Sequence, residues 1–120
     1  PGTKVARGDG IVAAFCGTNA ACAKAMKAVR AGETDADELA RLCDGLVVTE
    51  EGKIYELFNG LVERTPAREA FAVNGSGFAE AAAFLSGAQD CSEATVKAAL
   101  KYVATVRSDC GDGINGLTFD

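Results

Sequence analysis

The chain has 120 residues, of which 48% are apolar and 24% are charged, and it contains only 2 prolines. This composition predicts one packed domain over residues 1–120 and argues against disorder. The chain has 12 basic and 17 acidic side chains, and the basic residues form no cluster of the kind that nucleic-acid binding needs. No segment approaches the ~20 apolar residues of a membrane span, and the absence of histidine excludes imidazole-based triads and the usual zinc sites.

The cysteines form an odd set that contains no C-x-x-C spacing: Cys16, Cys22, Cys43, Cys91 and Cys110. A disulfide-stapled secreted domain usually shows an even, closely spaced set. We therefore expect reduced, mostly buried thiols in a cytoplasmic protein, the alternatives being a disulfide or a reactive thiol. We expect neither a metal nor a cofactor. Nothing in the sequence resembles a signal peptide.

The first half of the chain predicts a strand, two helices and a strand meander. Residues 11–16 form a continuous apolar run, which is typical of a strand covered on both faces. An apolar stripe predicts a helix over residues 20–31, and an N-cap signature opens a short helix over residues 34–45. Three strands follow, over residues 46–49, 53–58 and 61–64, and the first two are predicted to form a hairpin.

The second half predicts a buried strand at residues 70–73, an apolar helix at 78–85, a helix capped by Ser92 and a last strand at 114–119. Because the helix at 78–85 has no polar face, we expect it to be buried on all sides. In the last helix, Val96, Leu100 and Val103 are expected to face the core. The helices come in pairs, which favours an α+β fold over a doubly wound parallel sheet.

Asn74-Gly75-Ser76-Gly77 lies between a predicted strand and a predicted helix. Such a turn is compatible with a phosphate cradle, because glycines permit a close backbone approach and a helix N-terminus favours anions. Glu80 stands where the third glycine of a dinucleotide motif belongs, and no P-loop lysine follows. A tight turn that needs only glycine torsions is the structural alternative.

Residues 71–85, FAVNGSGFAEAAAFL, resemble the A-x-G-S-G-x-x-x-A-x-A-A segment of the proteasome β-subunit and HslV peptidase family, especially its phage and prophage members. The resemblance continues through residues 12–20, 46–55, 92–100 and 109–113 in the same order as in that family. It therefore covers nearly the whole chain. Each motif is short, and their common order carries the specificity.

The resemblance implies a threonine-type hydrolase with a four-layer αββα sandwich, whose nucleophile is an N-terminal threonine activated by its own α-amine. Lys4 matches the family's catalytic lysine, and Gly17 matches the glycine whose N–H donates to the oxyanion. Ser76 and Asp109 match the residues that orient the amine. The implied partners are further copies in a ring-shaped homo-oligomer, an ATP-dependent unfoldase and unfolded polypeptide substrates, with no nucleic acid or membrane.

The chain departs from the family pattern most strongly before Lys4, because the first β-hairpin, which carries the catalytic threonine, has no counterpart. Thr3 adjoins the lysine in sequence and cannot take that place. We therefore expect an N-terminally incomplete domain whose nucleophile lies upstream. Two further departures are Asp112 in place of a family serine and Ala21 in place of a family aspartate. The alternatives are a catalytically inactive subunit of the same fold, a small-ligand or phosphate-binding module, and a tautomerase using Pro1.

Overall fold

The computed structural model describes residues 4–66, 71–75, 77–88, 90 and 92–107. They form an α+β fold, as the pairing of helices predicted. Its elements in chain order are β1 (Val5–Arg7), β2 (Ile11–Cys16), α1 (Asn19–Arg30), α2 (Ala36–Leu42), β3 (Asp44–Thr49), β4 (Ile54–Phe58), β5 (Leu61–Arg64), α3 (Phe78–Gly87) and α4 (Glu93–Val106).

The five strands form one antiparallel sheet in which spatial order follows chain order, β1-β2-β3-β4-β5. β2 and β3 are neighbours although α1 and α2 separate them in sequence, and their register runs from Ile11↔Thr49 to Cys16↔Asp44. β4 and β5 form a hairpin closed at Asn59-Gly60, where Asn59 has a φ of 51°. Asparagine followed by glycine suits the left-handed torsions of a tight hairpin turn.

Side-chain caps fix the start of α1 and α2. The Thr18 hydroxyl accepts a hydrogen bond from the backbone N–H of Ala21 at 3.2 Å. The Asp35 carboxylate accepts one from the backbone N–H of Asp37 at 2.9 Å. Both caps satisfy helix N–H groups that lack intrahelical partners. The two predicted helices are confirmed, and α2 ends earlier than predicted, at Leu42.

The main core lies between one face of the sheet and helices α1 and α2. Alternate residues of β2 point into it, and their burial follows the two-residue period of a strand. The least exposed large side chains of this core are Val29, Leu39, Val47, Leu57 and Cys22. α1 lies against β1 and β2, and α2 lies against β3, β4 and β5, so one helical layer covers one sheet face.

The opposite sheet face carries apolar side chains on β2 and β3, although neither α1 nor α2 covers it. Val12 and Ala14 of β2 and Leu46 of β3 lie on this face and are half-buried. They alternate with the core residues, and the register pairs Val12 with Val48 and Ala14 with Leu46. We predicted packing against both faces of β2. Among the described elements, only the face toward α1 is packed against a helix.

Helices α3 and α4 pack against each other and approach no other described helix or strand. Their contact includes the rings of Phe84 and Tyr102, whose centroids are 5.6 Å apart, and an ion pair between Arg107 and Glu80 at 3.4 Å. Within the described part of this single chain, α3 is not buried on all sides: Phe78 is 59% exposed. A single partner helix shields one side of a cylinder and leaves the other sides open.

Three further predictions need correction or fall outside the described residues. Residues 71–73 form no strand and are irregular backbone instead. Leu100 is 40% exposed, because Ala99 and Val103 occupy the buried side of α4 in its place. The predicted strand at 114–119 and residue 70 lie outside the described part of the chain. In that part, no helix is both long enough and apolar enough to cross a membrane.

Candidate functional site

The pairing of β1 with β2 brings Lys4 to Gly17. The antiparallel register aligns Val5 with Ala14, and the N–H of Phe15 donates to the Lys4 carbonyl at 2.8 Å, which extends the ladder by one step. Lys4 therefore lies just before β1, at the end of the sheet where β2 finishes. From there its ammonium group donates a hydrogen bond to the Gly17 carbonyl oxygen at 3.3 Å. A charged donor strengthens such a bond relative to a neutral one.

Gly17 links the end of β2 to the N-cap of α1 and needs a backbone conformation that favours glycine. Its φ is 122°, which side-chain-bearing residues rarely adopt. A Cβ built there would lie 4.0 Å from the Cys43 sulfur, so the constraint is torsional rather than steric. The glycine thus allows the chain to leave β2 and enter α1 within two residues.

The glycine-rich segment after residue 70 lies beside the same end of β2. A Cβ on Gly75 would lie 3.1 Å from the Cβ of Cys16, which is closer than most real contacts. The side-chain amide of Asn74 anchors the segment by donating to the carbonyl oxygens of Gly45 at 3.0 Å and Leu57 at 2.9 Å. Asn74 and Gly75 are therefore held against the end of the sheet near Gly17.

The Cys43 thiol contacts both the Cys16–Gly17 peptide and the Cys22 thiol. The Cys43 sulfur lies 3.2 Å from the Cys16 carbonyl oxygen and 3.8 Å from the Cys22 sulfur. Burial, with the nearby Asp44 carboxylate as a smaller cause, raises the pKa of Cys16 to about 11, although Lys4 opposes this shift. Burial and the contact with Cys22 raise the pKa of Cys43 to about 12. Both groups are therefore neutral thiols at physiological pH.

Two of the four predicted site residues lie within the described residues, and the structure brings them together. Lys4 and Gly17 are 13 positions apart and share a hydrogen bond. Ser76 and Asp109 lie outside the described residues, although Gly75, the neighbour of Ser76, abuts Cys16. Sequence reasoning missed Cys43, because nothing in its local pattern shows which backbone group its sulfur reaches.

The described residues contain no cluster of three or more cysteine or acidic side chains placed to hold a metal ion. No protein-family model, curated protein sequence or solved structure matches this chain.

Proposed function

We propose that the chain is part of a threonine-type peptidase subunit, similar to the HslV branch of the proteasome family, that hydrolyses peptide bonds in unfolded polypeptides. The observation that carries this proposal is the hydrogen bond between Lys4 and Gly17 at the end of the sheet. The Gly75 segment lies beside it. Lys4, Gly17 and Gly75 belong to three segments that resemble the family. Lys4 contacts Gly17, and Gly75 lies against Cys16, the residue before Gly17.

In the proposed mechanism an N-terminal threonine hydroxyl attacks the peptide carbonyl while its own α-amine takes the hydroxyl proton. Lys4 contributes a positive charge that favours the reactive protonation state of this pair. The backbone N–H of Gly17 donates to the oxyanion as the tetrahedral intermediate forms. The intermediate collapses when the α-amine passes its proton to the leaving nitrogen and the C–N bond breaks, which releases the amine product and leaves an ester on the threonine. Ser76 and Asp109 orient the α-amine, and water then hydrolyses the ester.

The proposal also assigns a role to the apolar sheet face opposite α1 and α2. In a four-layer αββα sandwich a second sheet covers that face, and Val12, Ala14 and Leu46 become core residues. α3 and α4 then form the outer layer on the second sheet. Their separation from the five-stranded sheet, which they do not touch, is compatible with this arrangement.

We further propose that the subunit works as a ring-shaped homo-oligomer in the cytoplasm, together with an ATP-dependent unfoldase. Large apolar side chains are exposed on α3 and α4, including Phe78 at 59% and Val106 at 51%. Exposed apolar side chains grouped on one helix pair are typical of a surface that another subunit covers. The odd cysteine set without C-x-x-C spacing is typical of a cytoplasmic protein rather than of a disulfide-stapled secreted one.

The direct test of the peptidase is a mature protein expressed from its whole reading frame. N-terminal sequencing should find threonine, and a peptide boronate, which binds an activated hydroxyl, should block hydrolysis of a fluorogenic peptide. Acetylating the α-amine should abolish hydrolysis, because the amine is the proposed base. An assembled particle without a terminal threonine and without hydrolysis would overturn the peptidase and identify an inactive subunit of the same architecture.

Light scattering during size-exclusion chromatography tests the assembly separately. A ring predicts a mass that is an integral multiple of the mature subunit mass. A Phe78→Ser, Val106→Ser variant should shift the particle toward smaller species, whereas Ser86→Ala on an exposed position of α3 should leave it intact. A monomeric mass for the unmodified protein would contradict the ring.

A further inference from the structure

The Cys16–Gly17 peptide is held by a chain of two thiols from other parts of the fold. Cys22 lies in α1, Cys43 follows α2, and Cys16 ends β2. The Cys43 sulfur lies 3.2 Å from the Cys16 carbonyl oxygen and 3.8 Å from the sulfur of Cys22. Cys22 is 1% exposed and Cys43 is 7% exposed, so water does not compete for these contacts.

The chemistry of the groups fixes the direction of both contacts. A carbonyl oxygen only accepts, and a thiol has one hydrogen, so Cys43 donates to Cys16 and Cys22 donates to Cys43. The arrangement requires Cys43 to stay protonated. Its pKa, raised to about 12 chiefly by burial, keeps the thiol hydrogen in place throughout the physiological range.

The accepting carbonyl belongs to the same planar peptide unit as the N–H of Gly17. Because the peptide bond is planar and trans, the direction of the Cys16 carbonyl sets the direction of the Gly17 N–H. Glycine restrains its own torsions less than any other residue. The next carbonyl, that of Gly17, is held by Lys4 at 3.3 Å. Both peptide units that flank the Gly17 Cα atom are thus held from outside.

We propose that Cys43 is a positioning residue for the candidate site: its thiol fixes the Cys16–Gly17 peptide, and with it the N–H that donates to the oxyanion. The proposal rests on the proposed function for its catalytic consequence. Its structural part, the restraint of the peptide by the thiol, stands on the contact geometry alone. The two parts can therefore be tested separately.

The structural part is tested by NMR with selective labels. The sequence has two Cys-Gly dipeptides, Cys16–Gly17 and Cys110–Gly111, so cysteine labelled with carbonyl ¹³C and glycine labelled with ¹⁵N yields two correlated signals. A Gly111→Ala variant assigns them. In Cys43→Ala the Cys16 carbonyl signal should move upfield, as expected on loss of a hydrogen bond, and the Gly17 amide should exchange faster. The Cys110–Gly111 signal serves as the internal reference.

Two variants separate the hydrogen bond from a loss of packing. Cys43→Ser keeps a donor and should return the Cys16 carbonyl shift and the Gly17 amide exchange rate toward their values in the parent protein. Cys22→Ala removes an equally buried thiol, leaves the Cys43 donor in place, and should move the Cys16 carbonyl less than Cys43→Ala does. Equal shifts in Cys43→Ser and Cys43→Ala, or no shift in either, would overturn the restraint.

The catalytic part is tested by steady-state hydrolysis of a peptide. Cys43→Ala should lower kcat by about 3- to 10-fold with little change in KM, because a weak thiol hydrogen bond acts on a donor used in the transition state. Cys43→Ser should restore most of kcat. An altered Gly17 signal with unchanged kcat would overturn the positioning role. An inactive parent protein would overturn the proposed function while the NMR result still decides the restraint.

Discussion

The ammonium nitrogen of Lys4 lies 3.3 Å from the carbonyl oxygen of Gly17. The antiparallel pairing of β1 and β2 places Lys4 opposite Phe15, two residues before Gly17, and the lysine side chain spans the remaining distance. A lysine at this position brings a positive charge to the backbone that links β2 to α1. The proposed chemistry depends on this charge and on the conformation of Gly17.

Replacement of Gly17 separates backbone strain from a role in the site. Gly17→Ala should destabilise the fold by about 1–3 kcal/mol, because a φ of 122° is strained for alanine. Gly32→Ala is the matched control, since Gly32 has a φ of 106° and open space around a new Cβ. Urea denaturation should show similar losses of stability in the two variants.

Only the Gly17 variant should lose peptide hydrolysis beyond what its stability explains. A displaced oxyanion donor lowers kcat/KM by at least about tenfold. Equal activity of Gly17→Ala and Gly32→Ala, measured well below their unfolding midpoints, would argue that Gly17 serves only the turn.

Asn74 should anchor residues 71–75 through its side-chain amide. Asn74→Asp keeps the shape but removes the NH₂ donor and leaves two carbonyl oxygens, of Gly45 and Leu57, without it. Each lost partner costs about 1–3 kcal/mol in a part-buried location. Hydrogen exchange should quicken in residues 71–75, whereas the same charge change at the exposed Asn19 should leave that segment unaffected.

Two leucines of α2 test where the core lies. Leu39 is fully buried, so Leu39→Ala should cost about 2–5 kcal/mol through lost transfer energy and a cavity. Leu42, three residues later in the same helix, is 38% exposed, and Leu42→Ala should cost less than about 1 kcal/mol. The measurement is the urea midpoint at constant m-value. Equal costs would contradict the assigned face of α2.

The raised thiol pKa values predict slow alkylation and a loss of stability at high pH. The thiolate is the reactive form, so at pH 8 iodoacetamide should modify Cys16 roughly 100-fold more slowly in the folded protein than in urea, given a pKa of about 11 against 9.0. Peptide mapping follows each cysteine separately. Comparable rates in both states would contradict the burial of Cys16.

The sign of the stability effect follows from proton binding. Between pH 9 and about 11 the unfolded chain loses the Cys16 and Cys43 protons while the folded protein keeps them. Folding stability contributed by these thiols is therefore complete below pH 9 and declines as the pH rises above it. Cys16→Ala and Cys43→Ala should each make the alkaline decline shallower.

Local signals in the sequence predicted most elements of the five-stranded unit. The strand Ile11–Cys16 has the predicted bounds, and the caps Thr18 and Asp35 begin the two predicted helices. β1 was not predicted, because it has only three residues and is a strand only through its pairing with β2. The apolar composition of α3 predicts a buried helix, but it does not show which surface covers the helix.

The candidate site was predictable only where a strand pair enforces it. Once β1 is known, its register places Lys4 opposite Phe15 near the end of β2, within reach of Gly17 for a lysine side chain. The approach of Cys43 to the Cys16 carbonyl depends on how α2 returns to the sheet, which no sequence period encodes. The contact of Gly75 with Cys16 likewise depends on a segment without regular structure.

The most direct test of the proposed peptidase is hydrolysis of a fluorogenic peptide by the protein expressed from its whole reading frame, compared with Lys4→Ala and Lys24→Ala. Lys24 is an exposed lysine of α1 and controls for the loss of one positive charge. We expect hydrolysis by the parent and by Lys24→Ala, and a loss of about 100-fold or more in kcat for Lys4→Ala with the particle mass unchanged. Undiminished hydrolysis by Lys4→Ala would contradict the central role of Lys4.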